Sequence, residues 1–139
     1  MSYIIAIDEG TTSTRAMLYD TDKKAFVDHE SRKLHQFYPK AGWVEEDASE
    51  IYANTVAALL DLSGRVEVKD VLSIAITNQR ETVIMWDKMT GRPVYNAIVW
   101  QCRRTADYCK EIPAEFVEKI RDKTGLVVDA YFSATKIKW

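Results

Sequence analysis

The sequence predicts an α/β fold: a mixed sheet in which an antiparallel three-strand meander is followed by a parallel crossover strand, with helices packed on the sheet. Three observations lead there. Short strand-like runs follow one another closely at the start of the chain, one long stretch of helical periodicity comes next, and an uninterrupted apolar run then returns.

Tyr3-Ile4-Ile5-Ala6-Ile7 ends in Asp8-Glu9-Gly10, as a buried strand ends at a turn. Arg15 to Asp20 reads as a second strand, Asp22-Lys23-Lys24 as a turn, and Ala25 to about Leu34 as a third strand. Such close connections favour antiparallel pairing. Asp47 is a capping residue with the carboxylate of Glu50 three positions on, and Ile51, Thr55, Ala58, Leu59 and Leu62 recur at helical spacing up to Gly64. Val71 to Ile76 is the next strand. Because a helix joins it to the meander, a right-handed crossover lays it parallel to the first strand. Val83 to Trp86 reads as a further strand, closed by the turn Thr90-Gly91-Arg92-Pro93. Arg103 to Ile112 has a helical pattern stopped by Pro113, and Glu115 to Lys123 forms a second short helix ending at Gly125. In this topology the carboxyl ends of the first and fourth strands lie on one edge of the sheet, the usual place for a ligand.

The chain has 139 residues, 47% of them hydrophobic and 29% charged, which fits one folded domain and excludes the disordered class. Lys plus Arg number 19 against 21 Asp plus Glu, with no long run of one sign, so a nucleic-acid or anionic-membrane surface is not indicated and a small-molecule partner is. No apolar stretch approaches the roughly 18 residues a membrane helix needs. Met1-Ser2-Tyr3 runs into a strand with neither a basic start nor a cleavage site, so a cytoplasmic location without membrane insertion is expected. Cys102 and Cys109, seven apart, match no redox or zinc pattern and read as reduced structural thiols. With His29 and His35 the only histidines, a Cys/His metal site is not expected.

Three clusters can carry chemistry. In Asp8-Glu9-Gly10-Thr11-Thr12-Ser13-Thr14-Arg15 a carboxylate, a glycine, four hydroxyls and an arginine crowd into a tight turn. Glycine lets the backbone approach an anion, successive amides and hydroxyls donate to it, and Asp8 can hold a hydrated Mg²⁺ between phosphates. A plain hairpin turn rich in Gly and Thr is the competing reading. The second cluster is Thr77-Asn78-Gln79-Arg80-Glu81-Thr82. Strand neighbours point to opposite faces, so Arg80 and Glu81 can grip one ligand only if the chain leaves extended geometry there. A guanidinium donor beside a carboxylate acceptor suits a small polyol, and a solvated surface pair is the alternative. The third cluster joins Trp100-Gln101-Cys102-Arg103-Arg104 to Tyr131-Phe132. Trp100 and Tyr131 can wall and hydrogen-bond a small alcohol, or pack in the core. Arg103 and Arg104 read as a helix start or as partners for acids.

These strings, together with Gly42-Trp43-Val44-Glu45, Tyr95 to Thr105, and Tyr131-Phe132-Ser133-Ala134-Thr135-Lys136, resemble in order and spacing the start of the glycerol kinases of the FGGY carbohydrate kinase family. The likeness spans essentially the whole chain. The resemblance implies a ribonuclease H-like, actin-like ATPase fold of two lobes, and transfer of the γ-phosphoryl of MgATP to glycerol. It implies that Thr11, Thr12, Ser13 and Arg15 contact the nucleotide phosphates, that Asp8 is the Mg²⁺-associated acid acting through water, and that Arg80, Glu81, Trp100 and Tyr131 form the glycerol pocket. It further implies that residues 1–139 are a single partial domain from the first lobe, without the second lobe and inactive in isolation. The family's base aspartate and most of its adenosine pocket then lie beyond the chain. The surface normally covered by the missing part is open to self-association. Ala134 and Glu9 stand where glycine and glutamine are usual, and Glu9 adds negative charge beside the phosphates. A polyol-binding or interaction module, another FGGY sugar kinase, and a ribonuclease H-type nuclease are the rivals. The nuclease needs several clustered carboxylates, and only Asp8 stands at the expected strand end.

Overall fold

In a computed structural model describing residues 1–139, the elements run β1 (Tyr3–Glu9), β2 (Ser13–Asp20), β3 (Ala25–Lys33), β4 (Gln36–Phe37), β5 (Glu45–Glu46), α1 (Ala48–Ser63), β6 (Val71–Thr77), β7 (Ala97–Ile98), α2 (Ala106–Lys110), α3 (Ala114–Thr124) and α4 (Ser133–Lys138). They divide into two units, Met1–Gln36 with Glu46–Gln79 and Phe37–Glu45 with Arg80–Trp139.

The first unit holds the expected sheet, in the order β3-β2-β1-β6. β1 and β2 are antiparallel with Asp8 opposite Arg15, β2 and β3 are antiparallel, and β6 runs parallel to β1 with Thr77 beside Asp8. Alternation along β2 buries Thr14, Ala16, Leu18 and Asp20 on one face. Ala16 and Leu18 pack with Ile5 of β1 and with Ala58 and Leu62 of α1, the helical stripe read from the sequence. Asp47 caps α1 by accepting from the Ser49 amide at 2.8 Å. Glu50 does not complete a capping box; its carboxylate takes the His35 amide at 3.2 Å and the His35 ring at 2.5 Å. The local pattern is correct, but a stronger partner outside the helix captures the side chain. β6 is an edge strand whose apolar residues stay open, with Leu72 64%, Ile74 51% and Ile76 70% exposed.

Two expectations for the second unit need correction. Val83 to Trp86 is not a regular strand: Val83 bridges Ile98, and Trp86 bridges Pro93. Pro93 has no N–H to extend a ladder, and Asp87 instead collects the Met89 and Thr90 amides at 3.0 and 2.7 Å in a tight turn. The helix read from Arg103 to Ile112 shrinks to Ala106–Lys110. Its expected first turn is drawn away: the Arg103 amide donates to the Gly42 carbonyl at 2.7 Å, and its guanidinium grips Asp129 at 2.6 and 3.0 Å. α3 begins one residue early and ends as expected at Gly125, whose φ of 72° suits a left-handed cap.

Val44, Ile98, Val99 and Cys102 form this unit's core, flanked by Trp43 and Trp100. Beside it lies a buried ion pair. Arg104 Nη2 donates to Glu45 Oε1 at 2.6 Å, with both side chains almost fully enclosed. Glu45 also accepts from the Tyr95 hydroxyl and the Asn96 amide, each at 2.9 Å. The guanidinium carbon lies 4.0 Å from the Trp43 ring centroid and 4.5 Å from that of Trp139. Arg104 is thus the acid-paired arginine that its sequence context suggested. Cys102 and Cys109 are unbridged thiols, and Cys102 is buried beneath Arg104.

Candidate functional site

The donor-rich turn lies between β1 and β2 in the first unit. The Gly10 amide donates to the Ser13 carbonyl at 3.1 Å, and the Leu34 amide holds the Thr12 carbonyl at 3.0 Å. A Cβ on Gly10 would stand 2.8 Å from the Ser13 oxygen, so the close backbone approach itself requires glycine. The four hydroxyls divide by role. Thr14 is fully buried and donates to Glu9 Oε1 at 3.2 Å, as Thr55 of α1 also does. Thr12 is exposed, and Thr11 and Ser13 are partly exposed. Glu9 therefore turns to the α1 side of the sheet, while strand alternation sends Asp8 to the opposite face. Asp8 is half-buried, Arg15 is exposed, and although they are cross-strand partners no salt bridge joins them. No group of three or more potential metal-ligating side chains forms. A single open carboxylate fits a hard cation held largely by water and phosphate rather than by a protein cage.

Because β6 is parallel to β1, the segment after Thr77 leaves the sheet at the edge where the donor-rich turn begins. Gln79 makes the connection: its amide nitrogen donates to the Gly10 carbonyl at 3.1 Å and to Glu46 Oε2 at 2.9 Å. Gln36 donates to the other Glu46 oxygen at 3.0 Å. Sequence reasoning missed Glu46, and it placed Gln79 in the second cluster without giving it a role. The available signal was the Glu45-Glu46 pair in an extended stretch, where alternation sends neighbours into separate environments.

Burial pushes the Glu46 carboxyl above its ordinary pKa; hydrogen bonds from the two glutamines oppose this only in part. A raised folded-state pKa gives stability that is present below the unfolded value and lost as pH rises through the folded one. Glu46→Gln is therefore expected to reduce the loss of stability between mildly acidic and neutral pH, as measured by urea unfolding at each pH.

The second and third clusters lie in the second unit. Glu81 has φ of 65°, so the chain does leave extended geometry, as joint use of Arg80 and Glu81 requires. Glu81 Oε2 accepts from the Ser133 amide at 3.1 Å and hydroxyl at 2.7 Å, and Oε1 keeps no protein partner. Arg80 is exposed and makes no ion pair. Trp100 and Tyr131 meet edge to face with ring centroids 5.9 Å apart, both half-buried, and the Trp100 amide donates to Thr82 Oγ1 at 3.2 Å. Lys136 Nζ donates to the carbonyls of Glu81 and Tyr131 at 2.8 and 2.7 Å. Glu81, Trp100 and Tyr131 thus share one neighbourhood, with Arg80 next to it in the chain. Asp8, Thr11, Thr12, Ser13 and Arg15 form the separate cluster of the first unit.

Residues 3–139 match the N-terminal domain of the FGGY family of carbohydrate kinases. The chain is 55% identical over 141 residues to a glycerol kinase of Alkaliphilus metalliredigens and 54% identical over 140 residues to one of Vibrio cholerae, covering 99% of this chain and 28% of each relative. Among solved structures, Plasmodium falciparum glycerol kinase with ADP superposes over 100% of this chain and 28% of its own, at a TM-score of 0.86 and 38% identity. A ligand-bound xylulose kinase from Lactobacillus acidophilus gives 0.89 at 26% identity, with the same coverage. The chain therefore spans little more than a quarter of the relatives it matches, and within that span the actin-like α/β fold, the donor-rich turn and the family match agree. With the match running from the first strand to the last residue, the chain belongs to the FGGY family of carbohydrate kinases.

Proposed function

We propose that this chain is the N-terminal part of a glycerol kinase, which transfers the γ-phosphoryl of MgATP to a primary hydroxyl of glycerol and gives sn-glycerol 3-phosphate and ADP. The attacking oxygen gains the bond to phosphorus, the β–γ bridging bond breaks, and the hydroxyl proton passes to a base outside residues 1–139. Phosphoryl transfer is catalysed mainly by positioning and charge stabilisation, and this chain contributes residues of both kinds. Thr11, Thr12, Ser13 and Arg15 hold the nucleotide phosphates. Asp8 would hold Mg²⁺ through water, and the ion when bound would neutralise phosphate charge. Glu81 accepts from a glycerol hydroxyl, Arg80 donates to one, and Trp100 with Tyr131 walls the carbon chain.

The loop at Glu81 carries this reading. It ties one carboxylate oxygen to Ser133 and leaves the other open, next in sequence to an unpaired guanidinium, so that a hydroxyl finds both an acceptor and a donor. Identities of 55% and 54% to two glycerol kinases over nearly the whole chain, against 26% to a xylulose kinase, support glycerol over a pentulose. No helix is long and apolar enough to cross a membrane, and a reaction supplied by ATP belongs in the cytoplasm.

Calorimetric titration with glycerol and with MgADP tests the assignment. Arg80→Ala is expected to weaken glycerol binding about tenfold, the worth of a charge-assisted hydrogen bond, without changing MgADP binding. Preference for a pentulose over glycerol overturns the substrate. The exposed apolar face of β6 favours a second reading, an interaction module that self-associates. Concentration-dependent dimerisation with no affinity for either ligand would establish that reading instead.

A further inference from the structure

We propose that Lys136 is a positioning residue for the polyol pocket, setting Glu81 and Tyr131 relative to each other through their backbone carbonyls. This deepens the glycerol-kinase reading and rests on it for the identity of the ligand.

Lys136 is among the most enclosed side chains of the protein, 2% exposed, although it carries an ammonium. A buried ammonium is costly unless its protons are satisfied, so its placement needs compensating contacts. It finds them in the carbonyl oxygens of Glu81 at 2.8 Å and Tyr131 at 2.7 Å, rather than in a direct salt bridge. Nearby carboxylates are engaged elsewhere: Glu81 Oε2 by Ser133 and Asp129 by Arg103.

Both carbonyls belong to residues placed in the pocket. Glu81 occupies the left-handed region, which is unfavourable for a residue with a Cβ, so an outside contact must hold that conformation. The ammonium supplies one at the carbonyl while Ser133 supplies another at the carboxylate, and Oε1 is left open in a fixed direction. At Tyr131 the same ammonium fixes the backbone from which the ring reaches Trp100. One cation thus joins the hydroxyl acceptor to the aromatic wall, segments 50 residues apart in the chain. An apolar side chain of similar length would fill the space and leave both carbonyls without a donor. α4 places Lys136 by carrying it one turn beyond Ser133, the residue that holds the Glu81 side chain.

The test compares Lys136→Met and Lys136→Arg with the unaltered chain by amide hydrogen exchange and by titration with glycerol and with MgADP. Lys136→Met is expected to speed exchange at residues 81–82 and 131–133 about tenfold relative to Ile98, and to weaken glycerol binding about tenfold, while MgADP binding holds. Lys136→Arg, which keeps a cationic donor of different reach, is expected to fall between the two. Unchanged exchange and glycerol affinity in Lys136→Met overturn the proposal, as does parallel loss of both ligands, which marks general structural damage. If Lys136→Met does not fold, Lys136→Arg decides: selective weakening of glycerol supports the proposal, and wild-type binding of both ligands overturns it. If the unaltered chain binds no glycerol, the glycerol-kinase reading fails, and the exchange measurements alone decide whether Lys136 sets the two segments.

Discussion

Glu45→Gln is expected to destabilise the second unit by about 3 kcal/mol, the lower end of the range for breaking a buried ion pair by removing one partner. Arg104 would remain enclosed with its charge unanswered. The indole faces of Trp43 and Trp139, at 4.0 and 4.5 Å, offset part of that loss and keep the effect from the top of the range. Urea unfolding followed by near-ultraviolet circular dichroism reads the change directly, because these tryptophans report on the cage.

The pH dependence provides a second check on the same residue. Burial pushes the Glu45 carboxyl up, but hydrogen bonds from Asn96, Arg104 and Tyr95 outweigh it, and its pKa ends below the ordinary value. A depressed folded-state pKa contributes stability that is present above the unfolded value and lost as pH falls through the folded one. The unaltered chain should therefore lose stability on acidification below the ordinary carboxylate range, and Glu45→Gln should lose less there. Equal slopes for the two proteins would show that the pair carries no net stabilising charge. Glu46, its neighbour, has the opposite sign because burial outweighs the hydrogen bonds from its two glutamine partners, and the nearby Glu50 carboxylate adds to the rise.

Gly10→Ala should disable the donor-rich turn. The added Cβ meets the Ser13 backbone oxygen at 2.8 Å, a contact that no side-chain rotation relieves. Overpacking against backbone costs roughly 1–3 kcal/mol, and here the strain falls on the amides proposed to face the phosphates. The backbone must open, which lengthens the hydrogen bond from Gly10 to Ser13 and disturbs the carbonyl that Gln79 holds. MgADP affinity is expected to fall at least about tenfold, with glycerol affinity unchanged, when both are titrated calorimetrically. Undiminished MgADP binding would show that the turn does not carry the phosphates.

Much of the first unit was legible in the sequence because its determinants are local. The alternation of β2, the helical stripe of α1 and the single helical crossover before β6 each reside in a short window. The need for a non-extended bend at Arg80-Glu81 was legible for the same reason: it follows from strand geometry and two adjacent residues. The second unit was less legible because distant partners decide it. Helical periodicity around Arg103 loses to Asp129 and the Gly42 carbonyl, and the expected strand at Val83 is interrupted where Pro93 cannot donate. The first competition joins residues 26 and 61 positions from Arg103, beyond any short window, whereas the second lies within the turn itself.

The sequence by itself therefore determined the meander, the parallel return strand, the donor-rich turn and the family resemblance, all of which depend on neighbouring residues and their order. Only the tertiary structure decided which polar groups are spent on holding the protein and which remain open to a ligand. Thr14 and Glu9 bind each other, Glu45 and Arg104 neutralise each other, and Lys136 serves two carbonyls, whereas Asp8, Arg15 and Arg80 stay unpaired. The physical reason is that a hydrogen bond or ion pair depends on distance in space, and residues far apart in the chain reach that distance only after the chain has folded.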